Sequence, residues 1–230
     1  TNGTTITATA GNVAFDVAVG WSSAYSNATV IVKNATIVGK IEVGNYGTDA
    51  KNIVLDIKGG DLTRATIVIP YEASGTVTKA DTVEVVAPEG YEWKGGALVA
   101  IAYVAEANGV KYKTLEAAFA ATTKGTITML SDAAGNGIVV PSGSNITLDM
   151  AGYTYTIDGE TVGSTGTKTL GFQLLKGSDI TIKNGTIKSD KAKALIQNYA
   201  NLTLDNVALI GGEITQYVLS NNNGETVLTN

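Results

Sequence analysis

The feature that most constrains the fold of this chain is an internal repeat with a period close to 22 residues. Residues 180–187 (ITIKNGTI) match residues 30–37 (VIVKNATI) in pattern at every position, and both contain Lys-Asn-x-Thr-Ile. Each segment is an apolar-x-apolar strand, a charged residue, Asn or Gly, and a second short strand. Related segments lie at 53–60, 146–152 and 202–209. Repeats of this length are typical of solenoids and other arrays.

A third short strand is predicted after most of these pairs, at 13–17, 40–43, 194–199 and 216–220. Ile180 and Leu202 are 22 residues apart, and Val30 and Ile53 are 23 residues apart. Three short strands in this length make one coil of a parallel β-helix. Alternation places Ile, Val and Leu inside and Thr, Lys and Asp outside.

Asn and Gly at the corners accept the left-handed backbone that a sharp bend needs. The sequence therefore predicts an all-β chain folded as a right-handed parallel β-helix, that is, a β-solenoid. The alternative is an antiparallel sandwich, which also contains many short strands. A sandwich does not require the same corner residues to recur at a coil-length period.

One helical segment, residues 114–123 (TLEAAFAATT), interrupts the strand pattern. Thr114 is suited to be its N-cap, and Leu115, Ala118 and Phe119 fall on one face. A helix of this kind would cover the open end of a solenoid.

The turn-rich stretch before this helix, residues 88–96 (PEGYEWKGG), indicates the end of one stack of coils. We therefore divide the chain near residue 100. Residues 1–100 are predicted to be coils from the C-terminal part of a repeat unit. Residues 101–230 are predicted to be a capping helix and coils from the N-terminal part of a unit. One continuous permuted solenoid is the alternative.

The two ends of the chain match the repeat when they are joined. Residues 225–230 (ETVLTN) followed by 3–7 (GTTIT) contain VLTNGTTI, which matches 180–187 about as well as the internal coils match each other. The chain could be one period of a tandem array, a circular permutant, or a subunit that joins others head to tail. The alternative is that the match between the two ends is a coincidence among β-rich coils.

In the head-to-tail case, each terminal strand completes the broken coil of a neighbour, because an unpaired strand edge accepts strands from other molecules. The residues that would associate are Thr4, Thr5 and Ile6 in one strand and Thr226, Val227 and Leu228 in the other.

Four segments carry a resemblance to a known family: 108–119 (NGVKYKTLEAAF), 126–130 (TITML), 138–141 (IVVP) and 145–153 (NITLDMAGY). Together they resemble the start of pectin-lyase-like β-helix repeat domains, found in large surface proteins of gut Gram-positive bacteria and in some phage proteins. The resemblance covers residues 103 to about 158 well and the later coils only generically. It implies a right-handed parallel β-helix that serves as a stalk, adhesin or fibre. The capping segment begins the domain in that family but lies mid-chain here, which agrees with a permuted or excised unit.

Composition argues against several classes of function. The net charge is −5 and Arg64 is the only arginine, whereas nucleic-acid binding needs a basic surface. Histidine and cysteine are both absent, which removes the commonest general base, the thiol nucleophile and ordinary zinc or haem sites. We expect no cofactor and no metal. No run of 18 apolar residues is present, so we expect no membrane insertion. The lack of cysteine suits an extracellular location, on a cell or virion surface.

An enzyme is the main rival interpretation, because polysaccharide lyases and hydrolases also use β-helices. Such enzymes need carboxylates that face one groove, and the candidates are Asp149, Asp205 and Asp56. In register they would form a ladder of like charges spaced by ~5 Å, which repel. Asp is common at the corners of β-coils for backbone reasons, so we assign these residues to corners and Arg64 to an exposed strand position. We expect no catalytic residues and no enzymatic activity.

Aromatic side chains could form a glycan-binding platform, since sugar faces stack on rings. The candidates are Trp21, Tyr25 and Tyr46, and the best is the loop at 21–25 (WSSAY). The alternative is a loop that packs its own aromatic residues. Several Asn-x-Thr triplets match the glycosylation pattern, but corners followed by Thr-bearing strands produce them, and we assign no glycans; they begin at Asn27, Asn34, Asn145, Asn184 and Asn201.

The sequence therefore predicts a non-catalytic β-solenoid module of an extracellular surface protein or fibre. Its expected partners are other copies of itself or neighbouring repeats, or a glycan. A carbohydrate-binding module and a polysaccharide lyase or hydrolase are the alternatives.

Overall fold

The computed structural model of the chain describes residues 3–9, 11–19, 25–45, 52–70 and 75–230. They belong to two compact units, which divide after residue 101. Both units are built mainly from short strands, as the abundance of β-branched and turn residues predicts. No helix in the described part of the chain is both long enough and apolar enough to cross a membrane.

The first unit contains nine described strands. They are β1 (Thr4–Thr7), β2 (Val13–Val19), β3 (Asn27–Val32), β4 (Ala35–Asn45), β5 (Asn52–Ile57), β6 (Asp61–Val68), β7 (Thr76–Lys79), β8 (Tyr91–Lys94) and β9 (Ala97–Ala100).

The second unit contains one helix and thirteen strands. They are β10 (Ala105–Ala107), β11 (Val110–Tyr112), α1 (Leu115–Ala121), β12 (Lys124–Met129), β13 (Ala133–Gly135), β14 (Ile138–Val140), β15 (Asn145–Asp149), β16 (Thr154–Ile157), β17 (Leu170–Leu174), β18 (Asp179–Ser189), β19 (Ala194–Asn198), β20 (Asn201–Gly211), β21 (Tyr217–Asn221) and β22 (Glu225–Thr229).

The second unit is a parallel β-solenoid whose coils each have a first, a second and a third strand. The first strands stack as β12, β15, β18, β20 and β22, all in parallel. The second strands are β13, β16 and the later halves of β18 and β20, and the third strands are β14, β17, β19 and β21. Parallel pairing between successive coils confirms the solenoid and is incompatible with an antiparallel sandwich.

The first unit repeats this arrangement with fewer coils. Its first strands are β3, β5 and β7, again parallel. Its second and third strands lie in one sheet, in which β1 and β2 both pair with β4, and β4 pairs with β6. The solenoid prediction therefore holds in each unit taken by itself.

The registers show where the repeat spacing was read correctly. Ile180 pairs with Leu202, which confirms the 22-residue coil. Val30 pairs with Leu55 and not with Ile53, so the coil there has 25 residues and the predicted spacing was wrong by two. A spacing error of two residues does not change which side chains are predicted to face inward or outward, because side chains alternate with a period of two.

Three residues that follow first strands in the second unit have left-handed backbone. Asn184, Asn206 and Asn230 follow the first strands of three successive coils and have φ values of 58°, 55° and 64°. Asn accepts this conformation more readily than most residues other than glycine. The pairs Lys33–Asn34 and Lys183–Asn184 both separate strands that belong to parallel ladders, so neither pair is the turn of an antiparallel hairpin.

The core of the second unit consists of inward columns of aliphatic residues capped by aromatic rings. One column contains Ile127, Leu148, Ile182 and Leu204, all buried. Phe172 makes edge-to-face contacts with both Phe119 and Tyr155, with ring centroids 6.1 Å apart in each pair. Such contacts are favoured over face-to-face stacking and link the helix to the coils.

The first coil of the second unit is covered by α1 and by the β10–β11 hairpin. The Oγ1 atom of Thr114 accepts a hydrogen bond from the backbone N–H of Ala117 at 3.1 Å, which confirms the predicted N-cap. Leu115, Ala118 and Phe119 are buried, as expected. The helix ends at Ala121, two residues earlier than predicted. The strand β10 pairs antiparallel with β12 and so protects its outer edge.

The first unit is covered at its last coil, by the antiparallel β8–β9 hairpin. The strand β9 pairs with β7 in antiparallel orientation, which stops the parallel ladder. Residues 88–96 were predicted as turns, but 91–94 form a strand. Trp93 packs on the core of the unit and donates its indole N–H to the carbonyl of Val85 at 2.9 Å, so its ring is fixed at this end.

Candidate functional site

The outward face of the first-strand sheet in the second unit carries three polar columns. Because the strands are in register, residues of equal position stack from coil to coil. The middle column is Thr126, Thr147, Thr181, Thr203 and Val227. One flanking column is Lys124, Asn145, Asp179, Asn201 and Glu225. The other is Thr128, Asp149, Lys183, Asp205 and Thr229.

The predicted ladder of carboxylates is interrupted by a lysine. Asp149 and Asp205 share a column but lie on alternate coils, and Lys183 lies between them. The Lys183 ammonium is 3.1 Å from the Asp149 carboxylate. Asp205 accepts hydrogen bonds from the Thr229 hydroxyl at 3.0 Å and from the Asn230 side-chain amide at 2.7 Å. The column therefore alternates in charge and presents no pair of adjacent carboxylates.

The electrostatics of Asp149 reflect these contacts. Burial alone would raise the pKa of its carboxyl group, but three donors outweigh that effect. They are the backbone N–H of Ala151, the side-chain amide of Asn184 and the ammonium of Lys183. The pKa of Asp149 is therefore held below its usual value, and the group is a stable anion at neutral pH.

The other two charged candidates lie in the first unit. The Asp56 carboxylate is 2.9 Å from the Lys58 ammonium and accepts a hydrogen bond from Thr78, and these contacts lower its pKa. Asp56 is thus not part of the column that contains Asp149 and Asp205. Arg64 is an exposed residue of β6, as predicted.

A shallow groove of about 310 Å³ runs along the polar columns over four coils. Its polar lining comes chiefly from Asn145, Thr147, Asp179, Thr181, Asn201 and Thr203. The Asn201 amide donates to the Asp179 carboxylate at 2.7 Å, so this carboxylate also has a partner on the next coil. Hydroxyl, amide and carboxylate groups at coil spacing can donate and accept hydrogen bonds along an extended polar ligand.

The predicted aromatic platform is described only in part. Trp21 and Tyr46 lie outside the described residues. Tyr25 is 65% exposed, so its ring is accessible to solvent.

The last coil of the second unit leaves its apolar interior uncovered. Leu228 continues the column of Ile182 and Leu204, yet it is 69% exposed whereas Leu204 is 6% exposed. Together with Val207, Leu209, Val218 and Leu219 it lines an apolar groove of about 400 Å³. The predicted association residues Thr226, Val227 and Leu228 all lie in β22, at this end.

The first unit has an uncovered end of the same kind at its first coil. An apolar groove of about 490 Å³ is lined by Ile6, Phe15, Val30, Val32 and Ile37, with Asp16 and Lys33 among the polar lining residues. The predicted association residues Thr4, Thr5 and Ile6 lie in β1, which pairs only with β4 within the described part of the chain. The strand β3 likewise pairs only with β5 among these residues.

A partly buried polar cluster that sequence reasoning missed joins α1 to the coils. The Glu116 carboxylate accepts a hydrogen bond from the backbone N–H of Asn136 at 2.5 Å, and the Tyr155 hydroxyl donates to the carbonyl of Asn136 at 2.6 Å. Burial and the nearby Glu116 carboxylate raise the pKa of Tyr155. A Glu in the first turn of a helix is common, so the sequence around Glu116 gives no signal for this cluster. Only the fold brings Asn136 and Tyr155 next to Glu116.

In the described ranges, no three or more Asp or Glu side chains are grouped closely enough to hold a metal ion. Comparison of the chain with protein-family models, with curated proteins and with solved structures finds no match.

Proposed function

We propose that this chain is a non-catalytic structural module, a β-solenoid element of a stalk, adhesin or fibre that associates end to end. The observation that carries the proposal is the asymmetry of the two units. Each unit is covered at one end, by α1 with β10 or by the β8–β9 hairpin, and open at the other. Exposed apolar ends and free strand edges are uncommon on isolated proteins, because they promote association.

The proposed lack of catalysis rests on how the carboxylates are arranged. Asp149 and Asp205 are separated by Lys183, and Asp56 is paired with Lys58. A glycosidase needs two carboxyl groups with different protonation states facing one bond. Incubation with acidic and neutral polysaccharides should leave their chain length unchanged, and release of shortened or unsaturated products would contradict the proposal.

The proposed setting is an extracellular surface of a cell or virion. The absence of cysteine suits an oxidising compartment. The resemblance of residues 103–158 to pectin-lyase-like surface repeats supports the same setting and the same architectural role.

Light scattering over a concentration series tests the structural role. The average mass should rise with protein concentration, and electron microscopy of the concentrated sample should reveal linear chains of particles. A monomer at every concentration would contradict end-to-end association.

A second candidate function is glycan recognition, favoured by the polar groove over residues 145–203. Its hydroxyls and amides recur at coil spacing, which suits a linear polymer. A glycan array tests this candidate with the variant Thr181→Val, which removes one hydroxyl from the middle of the groove. Thr36→Val, a change of the same kind in β4 of the first unit, is the matched control.

A further inference from the structure

We propose that the uncovered end of the second unit is completed by the first coil of a second copy of this chain, which creates one composite coil. This inference rests on the structural function proposed above and specifies its partner and register. In the composite coil, β22 of one copy is the first strand, and β1 and β2 of the other copy are the second and third strands.

The strand content of the two open ends is complementary. The last coil of the second unit has only its first strand, β22, so the later half of β20 and the whole of β21 each have an edge that no described strand pairs with. Among the residues that the structure describes, the first coil of the first unit has a second and a third strand, β1 and β2, but no first strand, so β3 has no partner on that side. Each end supplies the strands that the other end lacks.

Three parallel ladders continue across such a junction. The strand β22 would pair with β3, the later half of β20 with β1, and β21 with β2. Main-chain hydrogen bonds would then satisfy every free edge at both ends, as in other cases of strand addition. The junction is heterologous, so it generates linear assemblies and not closed dimers.

The repeat sets the register of this junction. Residues 30–37 correspond to 180–187, so Val32 corresponds to Ile182, and Leu228 stands in the column of Ile182 through Leu204. We therefore pair Val32 of one copy with Leu228 of the other.

The second strands give a consistent register. Ile187 pairs with Leu209, and Ile37, which corresponds to Ile187, pairs with Ile6. Leu209 of one copy should therefore pair with Ile6 of the other. The same correspondence thus gives one register for both ladders of the junction, in which Leu228 regains the covered environment that Leu204 has.

The charges of the outward column agree with this register. From one coil to the next along the chain, the column contains Asp149, Lys183, Asp205 and Thr229. The next residue in the proposed junction is Lys33, which corresponds to Lys183. The neutral Thr229 would therefore stand between Asp205 of one copy and Lys33 of the other, with no like charges in contact at the junction itself.

Disulfide formation between two singly substituted chains tests the register, since the chain has no cysteine of its own. Thr229→Cys and Lys33→Cys change outward-facing residues that would be direct neighbours, within the Cα separation that a disulfide requires. A mixture of the two chains, oxidised mildly, should give a covalent dimer of doubled mass on a non-reducing gel. Thr229→Cys mixed with Lys58→Cys is the matched control, because Lys58 is the equivalent residue one coil further on, and this mixture should give only background.

Leu228→Ser tests the apolar part of the junction. Val139→Ser is its control, because Val139 is an exposed apolar residue of β14, in the first coil of the same unit and away from the junction. Leu228→Ser should abolish the rise of average mass with concentration, whereas Val139→Ser should retain it.

The outcomes separate the inference from the proposed function. Association without the 229–33 disulfide would overturn the register and leave the structural function standing. A chain carrying both Thr229→Cys and Lys33→Cys that closes on itself as a monomer, at every concentration, would overturn the partner proposed here. Absence of both association and disulfides would overturn the inference and the end-to-end function together.

Discussion

The ammonium of Lys183 lies 3.1 Å from the carboxylate of Asp149 on the preceding coil, and this ion pair separates two carboxylates that share one column. The arrangement explains how Asp can recur on the face of a solenoid without repulsion.

Asp149→Asn should weaken the second unit at neutral pH and have no effect in acid. The folded-state pKa of Asp149 is below its ordinary value of 3.8, so its contribution is complete above that value. The contribution is lost as the pH falls through the folded pKa. The amide can still accept the Ala151 N–H, so we expect a loss of up to about 1 kcal/mol at pH 7.

Urea unfolding at pH 7 and at a series of pH values below 4, followed by hydrogen exchange of residues 145–205, measures this effect. Glu213→Gln, a change at an exposed carboxylate of the same unit, is the control. Parallel stability curves for the wild type and Asp149→Asn across the whole pH range would contradict the prediction.

Leu148→Ala and Leu228→Ala should lower the free energy of unfolding by very different amounts, although both residues belong to one inward column. Leu148 is fully buried, so its truncation should cost about 2–5 kcal/mol of unfolding free energy. Leu228 is 69% exposed, so its truncation should cost less than about 1 kcal/mol in dilute solution. Denaturant unfolding at a concentration where the chain is monomeric measures both. Similar costs for the two variants would mean that the register of β22 is wrong.

Thr114→Ala should destabilise the capping helix by about 1 kcal/mol, because the Ala117 N–H loses its acceptor. Thr114→Ser keeps the hydroxyl and should retain most of the stability. Hydrogen exchange of the amides of residues 115–121 reports the opening of α1 directly. Equal protection in both variants would argue against capping by this side chain.

The free energy of unfolding of Asn206→Ala should be about 1–2 kcal/mol lower than that of Asn206→Gly, because residue 206 has a φ of 55°. Glycine reaches this backbone region without strain, whereas alanine does not. The midpoints of thermal unfolding of the two variants measure the difference. A more stable alanine variant would show that the corner has ordinary backbone geometry.

Much of the fold could be predicted from the repeat, because the solenoid is encoded locally. Segments such as 180–187 combine period-two alternation with a corner Asn, and neighbouring coils need only match each other. The N-cap at Thr114 was also predictable, since it depends on side chains within one helical turn. The length of the coil that begins at Val30 was not, because its partner Leu55 depends on how the chain between them is folded.

The candidate sites were less predictable, since they depend on stacking between coils. The sequence identified Asp149 and Asp205 but not that Lys183 lies between them, and nothing in the sequence links Glu116 to Asn136 and Tyr155. Residues 91–94 of the β8–β9 hairpin were likewise predicted as turns, because Trp93 of this strand finds its apolar contacts only in the core of the first unit.

By itself, the sequence determined the class of fold and the faces of the strands, because alternation and corner residues act over only a few positions. Only the tertiary structure decided which residues share a column, which coil ends are covered, and that Leu228 is exposed where Leu204 is buried. Those properties depend on the register between coils, and register is a long-range balance of packing and strand pairing that no local segment contains.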